Sequence, residues 1–79
     1  MGSPTPYAEA FALAVRLTGA TGTRARVTLG AAGGFRVEAP LPPGMGGEAQ
    51  AGVVALLRQA DRFGHRYRAR TQSVWAELD

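Results

Sequence analysis

A stretch in the first half of the chain, RARVTLGAAGGFRVEAP at residues 24–40, alternates apolar and polar side chains on both sides of a glycine-rich segment. Successive side chains of a strand point to opposite faces of a sheet, so this period of two predicts two strands, each with one apolar face. The sequence GAAGG at 30–34 supplies the turn between them. The stretch therefore predicts a β-hairpin, whose apolar face needs a covering layer.

The register of this hairpin follows from keeping the apolar side chains of both strands on one face. Val27 then lies opposite Val37, and Arg26 lies opposite Glu38. The predicted apolar face comprises Ala25, Val27, Leu29, Phe35, Val37 and Ala39. The predicted polar face comprises Arg24, Arg26, Thr28, Arg36 and Glu38.

A second alternating stretch, residues 65–78, predicts a second hairpin, with Arg66, Arg68 and Arg70 alternating with apolar or aromatic neighbours. We expect a four-residue loop around Thr71 and Gln72, because neither residue favours the positive φ of a tight two-residue turn. This register places His65 opposite Leu78. It also places Arg68 opposite Trp75 for a cation–π contact, and Arg66 opposite Glu77 for an ion pair.

Two other segments have helical periodicity. Residues 5–19 begin with Thr5 as a cap and Pro6 at the first helical position, and Gly19 is suited to end the helix. Residues 48–64 begin with Glu48, which favours a helix start, and end at Gly64. The first predicted apolar stripe comprises Tyr7, Phe11, Ala14 and Thr18, flanked by Leu13 and Leu17. The second comprises Val53, Leu56, Leu57, Ala60 and Phe63.

The predicted element order is α-β-β-α-β-β. We expect an α+β two-layer sandwich, with two helices packed on one face of a mostly antiparallel four-stranded sheet. Residues 1–79 would form a single small domain, with residues 1–4 disordered and a Pro/Gly-rich linker at 40–47 between the two α-β-β units. Leu57 is expected to be central to the core, so that truncating it would strongly destabilise the domain.

The composition argues against a metal centre and against catalysis. The chain has no Cys and one His, so a disulfide or a thiolate zinc site is unavailable, and its carboxylates show no ligand spacing. Ser73, His65 and Asp61 or Asp79 could form a nucleophilic triad only on paper, since His65 and Ser73 would point to opposite faces. We therefore expect a protein that is not an enzyme and uses no cofactor.

The chain is also expected to be soluble and cytoplasmic. Its N-terminal residues lack the basic segment and apolar run of a signal peptide, and Arg16 interrupts the apolar stretch that starts at Ala10. No segment approaches the roughly 20 apolar residues that a membrane span needs. The absence of Lys, Ile and Asn beside abundant Arg, Ala and Gly is typical of a GC-rich genome and suggests a bacterial origin.

A net charge of +3 favours an anionic partner. We predict nucleic-acid binding on the sheet face opposite to the helices, where arginines would contact phosphates and a tryptophan would stack on an unpaired base. The alternative is a protein-interaction module, an adaptor, an inhibitor or a homodimer, that uses the same surface, because Arg and Trp are also frequent at interface hot spots. The predicted site residues are Arg24, Arg26, Arg36, Arg66, Arg68, Arg70 and Trp75.

Overall fold

The computed structural model describes residues 5–31 and 33–79, so the predicted disorder of residues 1–4 lies outside the described part. The elements in chain order are α1 (Pro6–Thr21), β1 (Arg26–Leu29), β2 (Phe35–Leu41), α2 (Gly47–Leu57), β3 (Arg62–Arg68) and β4 (Thr71–Leu78). The strands form one antiparallel sheet in the order β1-β2-β4-β3, and the helices lie on one face of it. The predicted α+β fold and element order are confirmed.

Helix α1 begins as the sequence predicts but ends later. The Thr5 hydroxyl accepts a hydrogen bond from the backbone N–H of Ala8 at 3.1 Å, and Pro6 opens the helix. The predicted end at Gly19 is wrong, because the helix continues to Thr21 and stops at Gly22, whose φ is 74°. The buried Thr21 hydroxyl donates to the carbonyl of Leu17 at 2.7 Å, which adds a hydrogen bond in the last turn.

The inward face of α1 differs from the predicted stripe. Tyr7, Phe11 and Thr18 are exposed, although the edge of the Tyr7 ring packs against Phe35 at 5.3 Å between centroids. The face that packs on the sheet consists of alanine, leucine and threonine, and the larger aromatic rings lie at its rim. The buried residues of α1 are Ala10, Leu13, Ala14, Leu17 and Thr21.

Helix α2 is shorter than predicted. It ends at Leu57, and Phe63 and Gly64, which we assigned to the helix, lie in β3. After Leu57 the chain turns, and the N–H of Asp61 donates to the carbonyl of Glu77 in β4 at 3.0 Å. Strand pairing with β4 therefore prevails over the helical spacing that Phe63 shares with Val53.

The first hairpin has the predicted register. Val27 pairs with Val37, and Arg26 pairs with Glu38. Val37 and Ala39 are fully buried beneath α1, whereas Leu29 is 77% exposed at the end of β1. The predicted apolar faces of both strands are thus confirmed, since Leu29 lies on the same face as Val27, but Leu29 is not buried there.

The second hairpin has a different register from the predicted one. Gly64 lies opposite Trp75, and His65 lies opposite Val74 rather than Leu78. The loop consists of two residues, the first of which, Ala69, has a φ of 53°. Strand β4 pairs with β2 from Gln72 to Leu78, so the residues that we placed in the loop belong to a central strand.

The core lies between α1 and the central strands, and α2 packs mainly on α1. The Pro/Gly-rich linker is shorter than predicted, because β2 includes Pro40 and Leu41 and α2 begins at Gly47. Within the described residues, no helix has the length and apolarity that a membrane crossing requires. The core comprises Ala10, Leu13, Ala14, Leu17, Val37, Ala39, Val53, Leu57, Val74, Ala76 and Leu78.

Candidate functional site

The sheet face opposite to the helices, here called the open face, carries most of the predicted site residues. Its side chains alternate with the buried ones of β2 and β4, and the three strand registers define its rows. One row contains Arg26, Glu38, Trp75 and Gly64 in order across the sheet, and the adjacent row contains Thr28, Arg36, Glu77 and Arg62.

In one half of the open face, two arginines form ion pairs with two carboxylates. Glu77 lies between Arg36 and Arg62, with N–O distances of 3.3 and 3.2 Å, and Arg62 also binds Asp79 at 2.7 Å. The Glu77 side chain is only 11% exposed because the two arginines cover it. We call Arg36, Arg62, Glu77 and Asp79 the paired end.

The paired end changes the pKa values of Glu77 and Arg62. Desolvation raises the pKa of the Glu77 carboxyl, but hydrogen bonds from Arg62 and Arg36 outweigh it, so this pKa lies below its ordinary value. A hydrogen bond to Glu77, followed by one to Asp79, raises the pKa of Arg62. A carboxyl with a lowered pKa stabilises the fold above its unfolded pKa, and this contribution is lost as the pH falls through its folded pKa.

The predicted ion pair of Arg66 with Glu77 is wrong. Arg62 occupies that position because of the changed register, and Arg66 lies 4.0 Å from Glu38. Glu38 also accepts a hydrogen bond from the hydroxyl of Ser73 at 3.4 Å and lies 3.7 Å from Arg36. This central carboxylate is therefore shared rather than bound by one arginine.

Trp75 lies on the open face and is packed against the sheet. The predicted contact with Arg68 is wrong, because the guanidinium of Arg36 lies over the indole at 4.5 Å from its centroid. The ring crosses Gly64 so closely that a Cβ atom there would come within 2.7 Å of it. Trp75 thus fills the space above a glycine in the neighbouring strand, as aromatic residues do across strand pairs.

The other half of the open face holds arginines with little acidic compensation. Of the five arginines there, only Arg66 makes an ion pair within residues 5–31 and 33–79, with Glu38 at 4.0 Å. Arg26 and Arg68 point to the open face from the two outer strands, and Arg24 and Arg70 lie just outside the strands. We call this group the basic end, which comprises Arg24, Arg26, Arg66, Arg68 and Arg70.

A shallow depression of about 470 Å³ lies between the strands at the basic end. Arg24, Arg26, Glu38, Pro40 and Ser73 line it. The structure thus separates Arg36 from the other predicted arginines and assigns it to the paired end.

Arg62 is the charged residue of this face that sequence reasoning missed. We assigned it to the end of a helix, because Phe63 and Gly64 suit a helical stripe and a helix exit. The signal that identifies it is that Phe63, His65 and Tyr67 occupy every second position. This period of two places Arg62 in β3, on the opposite face.

No group of three or more His, Cys, Asp or Glu side chains with the geometry of a metal site occurs in the described part of the chain. Comparison with protein families, with curated proteins and with solved structures gave no match for this chain. Among these observations, the surface chemistry of the open face is therefore what indicates a function.

Proposed function

We propose that this protein binds nucleic acid through its phosphate backbone, using the basic end of the open face, and that it is not an enzyme. The observation that carries the proposal is the separation of charge on one surface. Arg36 and Arg62 are neutralised by carboxylates at the paired end, whereas Arg26 and Arg68 extend from the basic end without an ion pair among the described residues. A concentration of arginines of this kind attracts polyanions.

The spacing of the basic end suits an extended anionic chain. Arg26 lies on β1 and Arg68 on β3, the two outer strands, three strand spacings apart across the sheet and four residues apart along it, so about 20 Å separates their backbones. The depression beside Pro40 and Ser73 lies between them. A nucleic-acid strand crossing the sheet there would place successive phosphates within reach of arginines on both sides.

The role of Trp75 in this proposal is smaller than the sequence suggests. Its ring already contacts Gly64 and the guanidinium of Arg36, so stacking on a base would require Arg36 to move. Phosphate contacts supply affinity and dependence on salt but carry no direct sequence information. We therefore propose binding with little sequence preference, and base stacking by Trp75 stays a prediction.

A protein partner on the same surface remains the alternative. Hot spots of protein interfaces combine Arg with a fully desolvated aromatic anchor, and the Trp75 ring is already engaged inside the molecule. This observation favours the phosphate ligand. A cytoplasmic location, where nucleic acid is abundant, is part of the proposal.

The test is a titration of the full chain with fluorescently labelled single-stranded and duplex DNA and RNA, followed by anisotropy at several salt concentrations. We expect binding at low salt that weakens steeply as salt rises. The double variant Arg26→Ala with Arg68→Ala should bind more weakly and lower the slope of log K against log salt by up to about 2, close to one per phosphate contact.

Arg58→Ala provides the matched control, because Arg58 is an exposed arginine at the end of α2, away from the open face. It should reduce affinity much less than the loss of either arginine at the basic end. An equal loss of affinity per arginine removed, in Arg58→Ala and in the double variant, would show that net charge alone attracts the polyanion. Binding that is insensitive to salt would contradict phosphate recognition altogether.

A further inference from the structure

Strand β3 is a long outer strand with an uncovered inner face. Its outer edge has no pairing strand in the described part of the chain, so alternate N–H and C=O groups point outward. On the side of the helices, Phe63 is 43% and Tyr67 70% exposed, because α2 ends at Leu57 and packs mainly on α1. An edge strand of seven residues with two exposed aromatic rings is a template for a further strand.

Proline, lysine and bulges, three of the common protective features, are absent from this edge, whose charge comes from three arginines on the open face. Residues 62–68 contain no proline and no lysine, and they pair continuously with β4 without a bulge. The other outer strand, β1, has only four residues. Natural sheets shield exposed edges with such features or keep the edge strand short. The structure therefore favours β3 over β1 as the edge at which another chain adds.

We infer that a second copy of this chain occupies the β3 edge, through antiparallel pairing of the two β3 strands about a two-fold axis at His65. This register pairs every residue of β3 and continues the sheet from four strands to eight. Phe63 of each copy lies opposite Tyr67 of the second copy on the uncovered face. The aromatic pair then covers apolar surface that α2 leaves exposed.

On the open face, this arrangement makes one like-charge contact at each end of the pairing, and a nearby carboxylate offsets it. In the two-fold register, Arg66 lies opposite Gly64 of the second copy, so no like charge faces it. Arg68 lies opposite Arg62 of the second copy, which already binds Glu77 and Asp79. Antiparallel pairing thus brings the basic end of each copy beside the paired end of the other, and the half-exposed carboxylate of Asp79 is close to Arg68 of the second copy.

This charge pattern distinguishes a second copy from other occupants. An acidic extended segment of another protein would match Arg66 and Arg68, but it would lie beside the carboxylates of Glu77 and Asp79 at the other end of β3. A second copy instead places its Arg68 opposite Arg62 at each end of the pairing, with the half-exposed carboxylate of Asp79 nearby. The inference concerns the edge of the sheet and does not depend on nucleic-acid binding.

A single engineered cysteine tests the register directly, because the chain has no Cys of its own. The two-fold axis places position 65 of one copy opposite position 65 of the other, at a Cα separation of about 4.5–5.5 Å. This separation is within the range of a disulfide. His65→Cys should therefore form a covalent dimer rapidly under mild oxidation, at protein concentrations where random collision is slow.

Arg68→Cys is the matched control, since it is an exposed position in the same strand. Its two copies would lie about 20 Å apart in the proposed register, and it should remain largely monomeric on non-reducing gels. Equal cross-linking of both variants, or of neither, would overturn the register.

Sedimentation of the unmodified chain over a wide concentration range provides a second measurement. We expect the mass to approach that of a dimer, Tyr67→Ser to shift it at least several-fold toward the monomer, and Leu29→Ser to have little effect. Leu29 is the matched control because it is 77% exposed on the other outer strand. A chain that stays monomeric at every concentration, or one that dissociates only with Leu29→Ser, would overturn the inference.

Discussion

The two helix-plus-hairpin halves of the chain have the same element order but differ in how completely the helix is packed. In the first half, α1 has sixteen residues, a side-chain cap at Thr5 and four buried apolar residues over β2. In the second half, α2 has eleven residues, no side-chain cap at Gly46, and two buried residues, Val53 and Leu57. The inner face of β3 consequently stays exposed.

An apolar groove marks the difference between the halves. It lies between α2 and the strands β3 and β4, has a volume of about 130 Å³, and is lined in part by Val53, Val54, Leu57 and Phe63. In the first half, Leu13 and Leu17 are buried between α1 and the sheet, and a more open depression beside Ala14, Val15 and Val27 lies between α1 and β1. A small domain that packs one half tightly can leave the other half open to a partner, provided that the tight half carries most of the stability.

The largest effect is expected from leucine truncation, which compares the halves directly. Leu17→Ala should cost toward the upper end of about 2–5 kcal/mol, because Leu17 is fully buried in the tight half. Leu57→Ala should cost toward the lower end, because the groove beside it allows neighbouring side chains to relax. Urea unfolding followed by circular dichroism measures both. A larger loss for Leu57→Ala would show that the second half dominates the core.

A medium effect is expected at the contact between Gly64 and Trp75. Gly64→Ala should destabilise the protein by about 1–3 kcal/mol, because its Cβ would overlap the indole and displace it. The displaced ring should also show red-shifted fluorescence. Gly52→Ala is the matched control, since its Cβ would meet nothing within 4 Å and alanine favours a helix. Unchanged stability and emission in Gly64→Ala would contradict the packing of Trp75 on β3.

The smallest effects are expected at the helix starts. Thr5→Ala removes the hydroxyl that accepts from Ala8 and should cost about 1 kcal/mol. Gly46→Asp should add a cap to α2 and gain a few tenths of a kcal/mol, since the backbone at Gly46 is already extended. Thermal unfolding measures both variants. A gain from Gly46→Asp as large as the loss from Thr5→Ala would mean that fraying of α2 limits the stability of the whole domain.

The part of the candidate site on the first hairpin could be predicted, because one continuous alternating stretch contains both of its strands. The Arg26–Glu38 pairing followed from the first hairpin and is confirmed. The partners of Glu77 and Trp75 did not follow, because they come from β2 and from a part of β3 that has helical spacing in the sequence. The register between non-consecutive strands, such as β2 and β4, cannot be predicted from a local sequence pattern.

By itself, the sequence determined which faces of the inner strands are apolar, the number and order of the elements, and the positive charge of the open face. Only the tertiary structure decided the register of the second hairpin, the end of α2 and the partner of each arginine. The physical reason is that a shift by an even number of residues keeps every side chain on its face, so alternation alone allows several registers. The pairing of β4 with β2 fixes the position of β4, and in the register observed between β3 and β4 the turn places Ala69 at a positive φ that its residue type does not favour.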